Sequence, residues 1–183
     1  LQRELRATRN HLQATLNAIP DLLFELDLNG CFMSIHAPHP EQLSAPKASL
    51  IGKLISEVLP SDAAKVCMQA LREALETGWS HGHEYEIQLA GVRRCYEVSA
   101  STKQGLKPAD TRCIFLARDI SKRKRAEAQL RKLSLAVEQS PVSIIITNLQ
   151  AEIEYVNETF VQKSGFNRLE IIGQNPRVLQ SGK

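Results

Sequence analysis

At 183 residues, 43% of them hydrophobic, the chain can bury an ordinary core and holds one domain or two small ones. No apolar run approaches the roughly 18 residues that span a bilayer, and the N-terminal LQRELRATRNHLQ is too polar for a signal peptide. The four cysteines, Cys31, Cys67, Cys95 and Cys113, lack C-x-x-C spacing and read as reduced, buried thiols of a cytoplasmic protein; a net charge of +3, concentrated in SKRKRAEAQLRK at 121–132, speaks against nucleic acid as a partner.

In chain order, Leu1, Leu5, Thr8, Leu12 and then Leu16 or Ile19 form a helical, coiled-coil-like stripe at the N-terminus. LLFELDLNGCFMSIH, 22–36, carries two β-forming runs about Asn29-Gly30, a dipeptide that favours the positive backbone angles of a tight hairpin turn. After a stretch containing Pro, His and Ser, SDAAKVCMQALREALETG, 61–78, places Ala63, Val66, Cys67, Ala70, Leu71, Ala74 and Leu75 at helical spacing. Ser61 and Asp62 read as its N-cap and Gly78 as its stop. HEYEIQL alternates Tyr85, Ile87 and Leu89 with polar residues, RCYEVSAS alternates Tyr96, Val98 and Ala100, and RCIFLAR is a continuous apolar strand. Two strands, helices and three strands make an α+β order, in which the helices cover one face of an antiparallel sheet. From Ser121 to Gln139 there is neither Gly nor Pro, and Ala126, Leu130, Leu133 and Val137 recur at helical spacing. Roughly 19 helical residues at about 1.5 Å each span about 28 Å, enough to separate two modules. Lys122 to Arg125 read as the solvated face of this helix.

The chain also repeats. Setting LNAIPDLLFELDLNGCFMSIH, 16–36, over VEQSPVSIIITNLQAEIEYVN, 137–157, aligns Pro20 with Pro141, Leu23 with Ile144 and Leu28 with Leu149, an offset of 121 positions. The same register reaches back to Leu12 on Leu133 and forward to Gly52 on Gly173 without a gap. The expected organisation is a helix over 1–15, a complete module over 16–120, a helical linker over 121–136 and the N-terminal part of a second module over 137–183. That second copy lacks the three strands that would complete its sheet, and an isolated hairpin is only marginally stable.

LNAIPDLLFELDLNG, LIGKLISEVLPSDAAKVCMQALREALETG, RRCYEVSAS and, most specifically, ARDISKRKRAEAQLRKL resemble the PAS sensory domains. The last run is similar to the Asp-Ile-Thr sequence that ends the final PAS strand and opens a signalling helix, with Ser121 in place of Thr. The resemblance implies a five-stranded antiparallel sheet of order 2-1-5-4-3 with flanking helices, and a relay at Asp119, Ile120 and Ser121. It further implies a pocket between sheet and helices, for which Phe24, Leu26, Val66, Leu71, Tyr85, Ile87, Tyr96, Val98, Ile114 and Leu116 are the candidate lining. A ligand there should be small and partly apolar, with Tyr85 or Tyr96 as a polar handle, and a filled core without ligand stands as the alternative. Ala126, Leu130, Leu133 and Val137 are the candidate seam of a homodimer. The repeats, the linker and NPRVLQSG are similar to those of proteins that end in diguanylate cyclase (GGDEF) or cyclic-di-GMP phosphodiesterase (EAL) domains, with sensor histidine kinases second. A ligand-free dimerisation module is the rival from another class.

Candidate chemistry is sparse. GQNPRVLQ, 173–180, is similar to the flavin-holding run of light-oxygen-voltage PAS domains, but Pro176 replaces the adduct-forming cysteine. Asn175 and Arg177 are therefore only candidate flavin contacts, and a helix start with Pro176 in its first turn is the preferred reading. SGK closes the sequence without the strand that a phosphate-binding loop requires. Haem-binding PAS domains use a helix histidine, and residues 61–77 contain none. His36, His39, His81 and His83 lack the partners of a metal site, and the period-two spacing of Glu84 and Glu86 puts both on the polar face of a strand. No cofactor is required on this reading, no metal site or catalytic residue is expected, and no membrane contact lies within the chain.

Overall fold

The computed structural model describes residues 2–103, 105 and 110–180. Leu1 and the side chain of Leu5 in the N-terminal stripe, and the closing SGK, lie outside the described residues. The chain divides into two compact units, one running to Lys124 and the other starting at Arg125.

The first unit opens with helix α1, Gln2–Asn17, and then runs β1 Leu22–Leu26, β2 Phe32–His36, the short helices α2 Lys47–Leu50 and α3 Ile55–Val58, α4 Ser61–Thr77, β3 Trp79–Leu89, β4 Val92–Lys103 and β5 Arg112–Asp119. The five strands form one antiparallel sheet in the order β2-β1-β5-β4-β3, as the resemblance to PAS domains implies. Strands drawn from both ends of the unit meet at its centre, where Phe24 faces Phe115 in register. Helix α4 lies against β3 and β4 and buries a stripe of small residues, Ala63, Ala64, Cys67, Ala70 and Ala74, together with Leu71. Small side chains let the helix approach the sheet closely, and Leu22, Leu26, Ile35, Tyr96, Val98 and Phe115 fill the sheet side of the same core.

Two local expectations are corrected. Only Gly30 of the Asn29-Gly30 pair takes a positive φ, at 82°. The Asp27 carboxylate organises the turn by accepting hydrogen bonds from the backbone of Asn29 and Cys31, as short acidic side chains do in turns. At α4, the residue at the N-cap is Pro60, without a side-chain cap, and Ser61 and Asp62 belong to the first turn. Proline fixes φ but has no donor to lose there. Gly78 ends the helix in the left-handed conformation, as the sequence implies.

Helix α5, Ser121–Glu138, runs from the first unit into the second. The second unit continues with β6 Ile145–Thr147, β7 Ile153–Val156, α6 Glu158–Ser164 and α7 Arg168–Ile171. Its core is small: Ile153, Val156, Phe160 and Ile171, flanked by Ile145, Val161 and Leu179.

The repeat seen in the sequence is also a repeat of hydrogen bonds. In the first copy Phe32 N–H donates to Lys53 O and Gly52 N–H to Phe32 O; in the second, Ile153 N–H donates to Gln174 O and Gly173 N–H to Ile153 O, each pair 121 positions on. Asn148 organises the second turn as Asp27 does the first, accepting from Gln150 and Glu152. Ala151 takes the left-handed place of Gly30 there, at φ 60°. The copies diverge after the second strand. Where the second forms α6, the first has a proline-rich strap with one 3-10 turn, Pro40–Gln42.

Candidate functional site

Between the inner face of the sheet and the helices lies an apolar cavity of about 40 Å³. Its floor comes from all five strands, β2 contributing Phe32, and its cover from α2, α3, α4 and the strap. Six of the ten residues proposed from the sequence line it: Phe24, Leu26, Tyr85, Ile87, Tyr96 and Val98. Four do not. Ile114 and Leu116 border a shallow groove that also takes in Trp79, Ser99 and Ser101; it lies on the sheet's other face, because neighbouring residues of a strand point to opposite sides. Phe115 and Ala117 take the inward places on β5. On α4, Cys67 lines the cavity while Val66 lies half-buried at the edge of the stripe. Leu71 is fully buried but is not among the lining; a Cβ added at Gly30 would meet it at 3.6 Å.

Sequence reasoning missed the strap, from which Gln42, Leu43 and Ser44 contribute to the lining. The three prolines at 38, 40 and 46 were its only signal.

Five aromatic rings, Phe24, Phe32, Tyr85, Tyr96 and Phe115, stand among mostly aliphatic walls. Phe24 meets Phe32 edge to face at 5.4 Å, and Tyr85 stacks on Tyr96 with centroids 5.5 Å apart. The Tyr96 hydroxyl donates to Gln42 O across the cavity mouth at 3.2 Å; burial, and then the charge of Asp119, push its pKa to about 12. Burial also raises the Tyr85 phenol well above its ordinary value and the Cys67 thiol to about 12, so all three side chains are neutral at any physiological pH. No charged side chain lines the cavity among the described residues.

The junction where β5 becomes α5 lies next to this wall. Tyr96 is paired in register with Asp119, so one residue carries both a cavity ring and a backbone neighbour of the relay. Arg94 Nη1 donates to Asp119 Oδ2 at 2.6 Å, and Ser121 N–H to Asp119 Oδ1 at 2.9 Å. Cys95 N–H donates to Ser121 Oγ, and Ile120 N–H to Cys95 O, each at 2.9 Å. Burial on its own would raise the Asp119 pKa; the hydrogen bonds from Ser121, helped by Arg94, outweigh it and hold the carboxyl below its ordinary value. The three relay candidates, Asp119, Ile120 and Ser121, thus form one hydrogen-bonded clamp with β4.

The basic run at the start of α5 is more than a solvated face, which corrects the sequence reading. Arg123 reaches Glu84 at 3.3 Å and Glu97 at 3.9 Å, and Lys124 pairs with Glu84 as well. Along the candidate seam, Ala126, Leu130 and Leu133 are exposed, with Leu130 at 68% and Leu133 at 57%, while Val137 is half-buried. At the far end Glu138 bonds the Tyr155 hydroxyl and pairs with Arg168 at 2.7 Å. Asn157, wholly buried, accepts from Ile144 and Phe160 N–H and donates to the carbonyls of Val137, Ser140 and Val142.

Asn175 and Arg177 are both exposed. The Asn175 side chain caps the 3-10 turn Pro176–Leu179 by accepting from Arg177 N–H. Among the described residues no cluster of three or more His, Cys, Asp or Glu is placed to hold a metal ion, and no helix is long and apolar enough to cross a membrane.

Comparison with known proteins agrees with this architecture. A family profile described as PAS fold matches residues 16–125, and another described as PAS domain matches residues 141–183. The PAS domain of a protein from Colwellia psychrerythraea superposes with a TM-score of 0.53 at 16% identity, over 63% of this chain and 98% of that one. A domain of an HTR-like protein from Haloarcula marismortui is 25% identical with a TM-score of 0.44, over 56% of this chain and 99% of that one. A nitrogen fixation regulatory protein of Klebsiella pneumoniae is 38% identical over 47 residues, which are 26% of this chain and 10% of that protein. The chain spans about a tenth of the length of the curated relatives it matches. Both matched profiles are sensory modules and neither is a catalytic domain. With its sheet order, its strand-to-helix junction and a profile match over residues 16–125, the chain belongs to the PAS domain family.

Proposed function

We propose that this chain is a relay region of a signalling protein, in which the cavity of the first module senses a small molecule and α5 carries the response to an effector in the same polypeptide. The observation that carries this reading is the register of Tyr96 with Asp119. A change in what surrounds the Tyr96 ring moves β4 next to Cys95, whose backbone holds both Ile120 and Ser121. The α5 helix then responds as a lever, because its first turn is fixed to the strands and not to solvent.

On this reading two copies pair in parallel through Ala126, Leu130, Leu133 and Val137. Leu130 and Leu133 are too exposed for an isolated helix to leave bare without cost, at about 25 cal/mol per Å² of apolar surface. A diguanylate cyclase or a cyclic-di-GMP phosphodiesterase is the effector that the style of the repeats favours, with a histidine kinase second, and the working compartment is the cytoplasm. The likeness to a nitrogen fixation regulatory protein supports a regulatory setting. Neither a flavin at Asn175 and Arg177 nor a haem is part of this reading, since Asn175 is engaged as a cap.

Sedimentation tests the pairing. The wild-type chain should be dimeric at tens of micromolar, and Leu130→Glu with Leu133→Glu should make it monomeric while leaving the melting of residues 16–120 nearly unchanged. A monomeric wild type, or a double variant that stays dimeric, removes the physical basis for transmission through paired helices.

A further inference from the structure

Resting on that sensory reading, four observations narrow the chemistry of what the cavity accepts. The first is charge. Its lining is apolar apart from Gln42, Ser44, Cys67 and the two tyrosines, and none of these is ionised. A carboxylate, ammonium or phosphate placed there would lose its water and gain no counter-charge, which a protein interior disfavours strongly. The occupant is therefore uncharged.

The second is shape. Phe24, Phe32, Tyr85, Tyr96 and Phe115 all lie in the wall, and ring faces and edges set this close favour a planar partner that can stack or meet them edge-on. The third is a donor without an acceptor. The Tyr96 hydroxyl is engaged by Gln42 O, whereas the Tyr85 hydroxyl has no partner among the described residues. Tyr85 is half-buried and its hydroxyl keeps a contact with solvent, which an occupant of the cavity would take away. A ligand that presents a carbonyl, ether or ring nitrogen replaces that contact, and a pure hydrocarbon does not.

The fourth is size. A benzene-sized guest occupies a cavity of roughly 150 Å³, and the space here is about 40 Å³, so a ring can be housed only if part of the cover yields. The strap is the part able to do so. Its 3-10 turn is held by local hydrogen bonds, Gln42 N–H to His39 O and Leu43 N–H to Pro40 O, and among the described residues its polar tie to the sheet is the bond from Tyr96 to Gln42 O. The second module has a helix, α6, at the equivalent place, which buries its own Phe160. At the matching position the strap carries His39, which is exposed.

We infer that the first module binds a small, uncharged, planar molecule with one hydrogen-bond acceptor, which the Tyr85 hydroxyl recognises and which enters by lifting the strap around Gln42–Ser44 off Tyr96.

Three matched probes test this on the full chain by titration calorimetry: acetophenone, a neutral ring with a carbonyl; ethylbenzene, its apolar counterpart; and benzoate, its anionic one. Acetophenone and ethylbenzene should bind and benzoate should not. In Tyr85→Phe the ratio of acetophenone to ethylbenzene affinity should fall roughly tenfold, the equivalent of one hydrogen bond of about 1.4 kcal/mol. Ala117→Val, which adds bulk to the cavity wall, should abolish binding of both neutral probes and keeps the test available if Tyr85→Phe does not fold. Benzoate binding as tightly as acetophenone, an unchanged ratio in Tyr85→Phe, or unaltered binding in Ala117→Val would each overturn the inference. So would a wild-type chain that binds neither neutral probe. None of these results depends on the state of the α5 seam, which sedimentation reports, so the two readings fail separately.

Discussion

Replacing Asp119 by alanine is the sharpest test of the junction. The substitution removes the acceptor of Ser121 N–H and leaves the Arg94 guanidinium without its partner at 2.6 Å. Hydrogen bonds to charged groups contribute about 1.5–3 kcal/mol each when shielded from water. The side chains of Arg94 and Asp119 are 28% and 19% exposed, so solvent recovers part of the loss, and about 2–3 kcal/mol in total is expected. For a unit of this size 1 kcal/mol moves the melting temperature by about 4 °C, which sets the shift for Asp119→Ala at about 10 °C. Asp119→Asn keeps an acceptor for Ser121 and should shift by less than half as much. The acidity of Asp119 gives a second signature. Its carboxyl is held below the ordinary aspartate value of about 3.9, so its stabilising contribution is present above that pH and is lost as the pH falls through the lowered value. The gap between wild type and Asp119→Asn should be full at pH 6 and close on acidification below the ordinary range. Calorimetric melts across pH, with amide exchange in the first turn of α5, measure both effects. A melt of Asp119→Ala within about 2 °C of wild type, with α5 protection unchanged, would refute the clamp.

The repeat supplies a matched pair of predictions: Gly30→Ala should destabilise the first unit by about 2 kcal/mol, since φ is 82° and the new Cβ would meet Met68 Sδ at 2.9 Å. Ala151→Gly should stabilise the second by about 0.5–1 kcal/mol by relieving a left-handed alanine. Urea midpoints read the first and amide exchange around Ile153 the second, and an inverted pair of signs sinks the equivalence of the two turns. Asn157→Ala should cost roughly 3 kcal/mol or more, because it orphans several buried backbone groups at once; exchange protection over 145–171 should be lost while that of β4 and β5 is kept. Glu84→Gln should cost less than about 1 kcal/mol, because its partners Arg123 and Lys124 are both more than a third exposed. That small effect should vanish near 1 M salt, where screening acts within about 3 Å, and a salt-independent loss would point to a packing role instead.

The α+β order was legible because its punctuation is local: Gly30 and Gly78 each require a left-handed residue, and β3 from His83 and β4 from Tyr96 alternate inward and outward residues. Strand β5 shows where such reading runs out. RCIFLAR is apolar at both parities, since a central strand has neighbours on each side, and period two gives no sign of which set faces the helices. The candidate lining took Ile114 and Leu116, yet the core takes Phe115 beside the small Ala117. Val66 and Cys67 differ by one helical step of about 100°, and the run of alanines at 63, 70 and 74 was the signal that selects Cys67. The partners of Arg123 and Lys124 lie on β3 and β4, tens of residues away in sequence. A run of charges carries no mark of such distant carboxylates. The strap has no periodicity at all, and its part in the cavity comes from tertiary packing of Leu43 and Ala45 against the core.

The connector helix is gripped at its ends and exposed between them. Ser121, Arg123 and Lys124 are tied to β3 and β4, Val137 and Glu138 to the second module, and every residue from Arg125 to Ala136 is exposed. The exposed residues from Ala128 to Ala136 are where a foreign module can be spliced without disturbing the ties named above. An insertion of seven residues there keeps the helix face within about 20° of its original phase, whereas a single added residue turns it by about 100°. Chimeras built at this position should therefore work or fail according to linker length in steps of seven, with the helix serving as a ruler whose graduations are its own turns.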